Sequence, residues 1–270
     1  MIKINLFDLS GIKVYPLGGP YNYKHIEYVD NLMNFDGITI FTDFHLFSNV
    51  VDKVSSKIKI AWLFEPRVML SNIYEIYKIQ DKFNFILTHD ENLLNISNKY
   101  KLVSPGGCWI PDCSKKIHIK NNIVSFISSD KCKTNGHILR HHIYNTFKHR
   151  LDCFGHANFI QTKDIGLNDY MYSVCVENSS VNNYFTEKLI DCFMTGTIPI
   201  YWGCKNIFNF FNKDGMIIFE NLNELDSILQ NLTIEKYNSM KFAIEDNFNR
   251  ANKYCVIEDW LFENFLVNIV

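Results

Sequence analysis

The stretch from Tyr172 to Gly203 holds the residues whose types and order could do chemistry. Glu177-Asn178-Ser179 closes an apolar run, and Tyr184-Phe185-Thr186-Glu187-Lys188 opens a helical one. A helix that begins after a polar loop at a strand's C-terminal edge offers unpaired backbone N–H groups and a positive dipole end, both suited to a diphosphate. Lys188, in the first turn, adds a mobile cation, and Glu187 can accept hydrogen bonds from a ribose diol. Taken alone, the two residues read more simply as a solvated first-turn ion pair.

Positioning such a helix requires a βαβ unit, and the string supplies one. Thr186 reads as the N-cap, Leu189, Ile190, Phe193 and Met194 share one face, Gly196 stands where a left-handed C-cap belongs, and Pro199 bars the helix from continuing. Apolar runs predict strands at 3–6, 37–42, 57–64, 83–88, 122–127, 151–154, 172–177, 198–202 and 215–219. Helical patterns fall at 71–78, 91–98, 137–149, 186–194, 222–230 and from 233 to about 268. Strand followed by helix, repeated, predicts an α/β protein of two Rossmann-like halves. The turn-rich, then basic segment from Ser104 to Lys116 divides them. The expected domains are 1–115 and 116–270, with the last helix able to pack back on the N-terminal half. A ligand then belongs in the crevice between the halves, beyond the carboxyl ends of the strands.

The whole string resembles the donor-site signature of glycosyltransferase family 10, the α-1,3/4-fucosyltransferases. That pattern is a strand ending in Glu-Asn-Ser, a short loop, Tyr-x-Thr-Glu-Lys, a helix, Gly-Thr and a Pro-containing strand ending in Gly. It is matched by Glu177-Asn178-Ser179, Tyr184 to Lys188, Gly196-Thr197-Ile198-Pro199-Ile200 and Tyr201-Trp202-Gly203. A looser similarity runs upstream through Ser125 to Lys131, Arg140 and Leu151 to Gly155. The resemblance implies a GT-B-like fold and an acceptor-side N-terminal half facing a donor-binding C-terminal half. It also implies inverting transfer of a sugar, fucose from GDP-fucose first and another nucleotide sugar second, to a glycan such as one containing N-acetylglucosamine. Arg140 and Lys188 would then grip the diphosphate, Glu187 the ribose, and Asn178 and Tyr184 the sugar or phosphate.

An inverting transfer needs a base, which in the family lies in the acceptor half on a Glu-Ser-Pro after a Trp. This chain has Trp62-Leu63-Phe64-Glu65-Pro66-Arg67, so Glu65 is the candidate. The serine is missing, and Glu65 reads equally as a buried ion-pair carboxylate with Arg67 as partner. His89 and Asp90, after the run 83–88, are a second acceptor-side candidate pair, although Asp90 reads more simply as a helix N-cap. A protein that kept the donor loop but lost its base would be a non-catalytic nucleotide- or glycan-binding module.

Composition narrows the field. With 27 basic and 29 acidic residues and 47% hydrophobic content, the chain is a folded protein without the positive charge that attracts nucleic acid. No apolar run reaches the roughly 20 residues that span a bilayer, and the start of the chain lacks the pattern of a signal peptide, so the expectation is a soluble, cytoplasmic protein. The 8 cysteines show no CxxC and the 9 histidines no HExxH. No Asp-x-Asp occurs either, so no metal or cofactor is expected and transfer is read as metal-independent. An Asn-, Ile- and Lys-rich chain without an anchor suits a viral or bacterial enzyme.

Overall fold

A computed structural model describes residues 1–8, 23–155 and 158–270. The chain divides into two compact units. One comprises Met1–Pro105, Asn182–Tyr184 and Val256–Val270, and the other Gly106–Val181 and Phe185–Cys255. The division falls at Pro105/Gly106, within the segment from Ser104 to Lys116 and ten residues before the expected 115/116 border. Gly106 and Gly107, at positive φ (56° and 89°), donate their N–H groups to Phe185 O and Tyr254 O and so tie this segment to the second unit.

The first unit is built on a wholly parallel six-stranded sheet. Its strands are β1 Ile2–Phe7, β2 Ile26–Asp30, β3 Asn34–Thr42, β4 Ser55–Trp62, β5 Phe85–Thr88 and β6 Tyr100–Leu102, in the order β2-β1-β3-β4-β5-β6. Short helices α1 Val50–Lys53 and α2 Glu91–Leu94 and a 3₁₀ segment, Ser71–Lys82, connect them. Phe41, Ala61, Leu63, Tyr74 and Ile86 are among the buried side chains of its core. The sequence reading missed β2 and β6, which are the two edge strands. Both are short with mixed polarity, and burial on one side imposes little apolar pattern.

The second unit has a parallel five-stranded sheet. Its strands are β7 Asn122–Ser128, β8 Asp152–Gly155, β9 Tyr170–Val176, β10 Ile198–Trp202 and β11 Ile217–Ile218, in the order β11-β10-β9-β7-β8. Every residue of β9 is buried, the signature of a central strand covered on both faces. Pro199 is tolerated in β10 because β11 pairs only from Ile200 onward. Helices α3 Asn135–Phe147, α4 Glu187–Met194, α5 Leu222–Gln230, α6 Ile234–Ser239 and α7 Lys241–Asn252 complete the unit. Its core gathers Phe126, Ile143, Tyr172, Ile200 and Phe219.

The helical stretch expected from 233 to 268 is interrupted. Met240 leaves helical geometry between α6 and α7, and extended Val256 separates α7 from α8 Ile257–Asn264, which belongs to the first unit. Both units share the strand order 2-1-3-4-5, counted from each unit's first strand. That doubly wound order carries a switch point between its first and third strands.

Candidate functional site

In the second unit the switch point lies between β7 and β9, and a cavity of about 260 Å³ opens there. It is lined by the ends of both strands, including Ser128 and Val176, and by side chains from α3 and α4. Why these helices start here is legible in detail. Thr134 caps α3 by accepting from the His137 N–H (3.1 Å), and the first turn packs so tightly on the chain just beyond β9 that a Cβ at Gly136 would meet Glu177 O at 1.8 Å. Thr186 caps α4, as its sequence implies. It is held in turn by buried Glu177, which accepts from the Thr186 N–H (2.8 Å) and hydroxyl (2.7 Å). The crowding here also explains Gly203, since a Cβ there would lie 2.4 Å from the Tyr201 hydroxyl oxygen and 2.6 Å from Glu177 Cγ. At the far end of α4, Gly196 at φ 71° completes a Schellman motif, with Gly196 N–H on Phe193 O and Thr197 N–H on Cys192 O.

Four of the residues singled out in the sequence, Arg140, Asn178, Glu187 and Lys188, line this one cavity. Arg140 is buried and donates through Nε and Nη2 to Val176 O (3.0 and 2.6 Å) and through Nη2 to Asn178 Oδ1 (2.9 Å). It therefore clamps the end of β9 to α3 as well as lining the cavity. Lys188 Nζ lies 3.1 Å from both Thr186 Oγ1 and Glu187 Oε1. Tyr184 is not among the lining residues. It is buried in the first unit, its ring 5.0 Å from that of His89, in a segment where Asn182 bonds Glu91 (2.8 Å) and Asn183 bonds His89 O (3.2 Å).

The cavity also holds residues the sequence reading passed over: Trp109, Lys131, His137, Lys163 and Asp191. Lys163 Nζ is shared between Glu187 Oε1 (3.2 Å) and Asp191 Oδ2 (3.0 Å) and sits 4.3 Å from the Trp109 ring centroid. Two of these were within reach of pattern reasoning: Asp191 is four residues beyond Glu187 on α4, and His137 is three before Arg140 on α3. Trp109 and Lys163 arrive on loops remote in sequence and carried no local signal.

The charged side chains lining the cavity sum to a net positive charge. Lys131, Arg140, Lys163 and Lys188 oppose only Glu187 and Asp191 among the lining side chains. Burial acts to raise the Glu187 pKa, but Lys188 and Lys163 overcome it and hold the carboxyl well below the usual range. Asp191 and Glu177 are pushed up by burial, with Lys163 and Lys188 respectively opposing the shift. His137 is pushed down to about 4 by burial and by neighbouring Arg140, Lys131 and Lys188, so it is neutral near pH 7. Among the described residues no cluster of three or more His, Cys, Asp or Glu is arranged to hold a metal ion.

At the C-terminal edge of the first unit's sheet, Glu65 lies half-buried in a bend just beyond β4. The N–H groups of Phe64 and Glu65 donate to Asp43 Oδ1 (2.8 Å) and Oδ2 (3.2 Å), and the Tyr74 hydroxyl donates to Glu65 O (2.7 Å). Arg67, which the sequence offered as one ion-pair partner for Glu65, has a carboxylate partner in Asp90. It binds Asp90 through two bonds of 2.8 and 3.0 Å, because Asp90 is already held at the start of α2 as the N-cap, accepting from Leu93 N–H. His89 is buried, its Nε2 3.2 Å from the Tyr74 hydroxyl. Burial pushes its pKa down to about 4, so it is a neutral core side chain.

Two doubly wound units, one carrying a cationic cavity at its switch point, define the GT-B type of fold. A model of glycosyltransferase family 10 (fucosyltransferase), C-terminal part, matches residues 117–255, a little over half of the chain. The chain belongs to this family. Over 93 residues it is 30% identical to the alpha-(1,3)-fucosyltransferase FucT of Helicobacter pylori, a match covering 33% of this chain and 20% of that protein. It thus spans about a fifth of that relative's length. Its fold is shared with a crystal structure of alpha1,3-fucosyltransferase with GDP-fucose (TM-score 0.58, 16% identity, 97% of this chain and 90% of that one). A structure of alpha1,3-fucosyltransferase with GDP gives a TM-score of 0.57 at 16% identity, covering 95% and 90%.

Proposed function

We propose that the protein is an inverting fucosyltransferase that moves fucose from GDP-fucose to a hydroxyl of a glycan, such as one containing N-acetylglucosamine. The observation that carries this reading is the cavity between β7 and β9, where four cations face two carboxylates within the part of the chain matched by the family model. In glycosyl transfer the leaving group is a nucleoside diphosphate, whose developing charge must be stabilised as the glycosidic bond breaks. Lys188 and Arg140 take that charge, and the α4 N-terminus adds its dipole. Glu187, kept ionised, accepts from the ribose diol, and Asn178, bonded to Arg140, orients the diphosphate side of the donor. With side-chain cations meeting the diphosphate, the transfer needs no metal ion. Glu65 is the base that deprotonates the acceptor, so the displacement is direct and inverts the anomeric centre.

Titrating GDP, UDP and dTDP while following thermal unfolding tests the donor assignment. GDP is expected to stabilise by about 2.7 kcal/mol at a hundred times its Kd. GDP release from GDP-fucose should then depend on an added glycan acceptor. Stabilisation by UDP or dTDP and not by GDP would defeat this reading.

A further inference from the structure

We propose that Lys163 is a positioning residue for Glu187, and that by pinning this carboxylate it sets a preference for ribonucleotides over 2′-deoxyribonucleotides. The inference rests on the donor-site reading above, in which Glu187 accepts from the ribose diol. Lys163 comes from outside α4, on the 3₁₀ turn Lys163–Gly166. Its ammonium lies between two carboxylates one helical turn apart, Glu187 (3.2 Å) and Asp191 (3.0 Å), which would otherwise repel each other. Asp191 in turn is fixed by the Trp109 N–H (2.6 Å), and the Trp109 ring covers the Lys163 ammonium at 4.3 Å. Lys163 is thus held by a carboxylate and a ring that belong to the fold and not to the ligand.

Lys188 also reaches Glu187, at 3.1 Å, but its situation differs. A bound diphosphate competes with Glu187 for Lys188, whereas Lys163 keeps its partners when the nucleotide arrives. Both ammonium groups approach the same oxygen, Oε1. That geometry leaves acceptor capacity on Oε2 for the hydroxyls of a ribose. A carboxylate locked in this way discriminates by the 2′-hydroxyl, whereas one free to rotate makes up the loss with water.

Calorimetric titration of wild type and Lys163→Met with GDP and with 2′-deoxy-GDP is the test. Wild type is expected to prefer GDP about tenfold, the size of one hydrogen bond to a charged group. Lys163→Met should lose most of that preference, mainly through weaker GDP binding, and Lys163→Arg should restore part of it. Equal weakening of both nucleotides by Lys163→Met, with the preference intact, would show a general charge effect and overturn the proposal, as would no change at all. If Lys163→Met does not fold, Lys163→Met/Asp191→Asn removes the buried cation together with a buried anion and reads the same ratio. Wild type that binds neither nucleotide refutes the donor-site reading itself. Wild type that binds both equally refutes the ribose role of Glu187, and with it the role of Lys163.

Discussion

The C-terminal edges of the two sheets carry similar side chains in opposite electrostatic settings. In the second unit acids are answered by cations, Glu187 by Lys163 and Lys188 and Asp191 by Lys163, and Arg140 and Lys131 line the same cavity. In the first unit Arg67 answers Asp90, while buried Asp43 accepts from the Phe64 and Glu65 N–H groups and is pushed up to about 7. His89, beside the same edge, is neutral. Two units that share a strand order therefore differ in how their edges hold charge. One edge holds paired, fixed charges, and the other carries in Asp43 a carboxyl whose protonation changes near neutral pH. Charge on the second unit's edge should govern affinity and charge on the first unit's edge should govern rate, a contrast that can be broken by experiment.

The largest effect is expected at Glu65. Glu65→Gln keeps the shape of the side chain and removes its basicity, so kcat for fucose transfer should fall by about 10² to 10⁴, the usual contribution of general base catalysis. GDP affinity should stay within about twofold of wild type. A variant that transfers at the wild-type rate would remove Glu65 from the mechanism. One that loses GDP affinity instead would erase the contrast between the two edges. Steady-state kinetics with calorimetric GDP binding reads both numbers.

Lys188→Ala probes the other side and should do the reverse. Losing a charge-assisted contact to the diphosphate is expected to weaken GDP binding by about 10- to 100-fold. Part of that loss comes from Glu187, which keeps Lys163 but surrenders its nearer cation. GDP affinity equal to wild type would mean that the diphosphate lies elsewhere.

How much of this was legible in the sequence follows from where each residue sits. Thr186, Gly196, Pro199 and the α4 face were readable because capping and periodicity are local, and the structure repeats them nearly residue for residue. Glu187, Lys188, Arg140 and Asn178 were readable through a family pattern anchored on that same local unit. Lys163 and Trp109 were not, because their value arises only when two loops meet α4. Tyr184 was read from its place in the motif, and the contacts of its neighbours Asn182 and Asn183 with Glu91 and His89 arise only in the folded chain. Asp43 was missed altogether. A lone acid after an apolar run shows no sign in sequence that two backbone N–H groups twenty residues later will converge on it.

Asp43 supplies the smallest and most physical test of the contrast. Burial raises its pKa from the ordinary 3.8 to about 7, against the Phe64 and Glu65 N–H groups, which lower it, while Glu65 and Asp8 add to the rise. Between those two values the folded protein binds this proton and the unfolded chain does not. The contribution of Asp43 to stability is therefore full below about pH 4, falls as pH rises toward 7, and is level above that. Asp43→Asn carries no such titration. The stability of wild type minus that of Asp43→Asn should thus drop by about 2 to 3 kcal/mol between pH 5 and pH 8, measured by urea unfolding at each pH. A difference that is flat with pH would mean that Asp43 titrates at an ordinary value. The edge beside Glu65 would then be as firmly charged as the edge beside Lys188, and the contrast would reduce to one of sign alone.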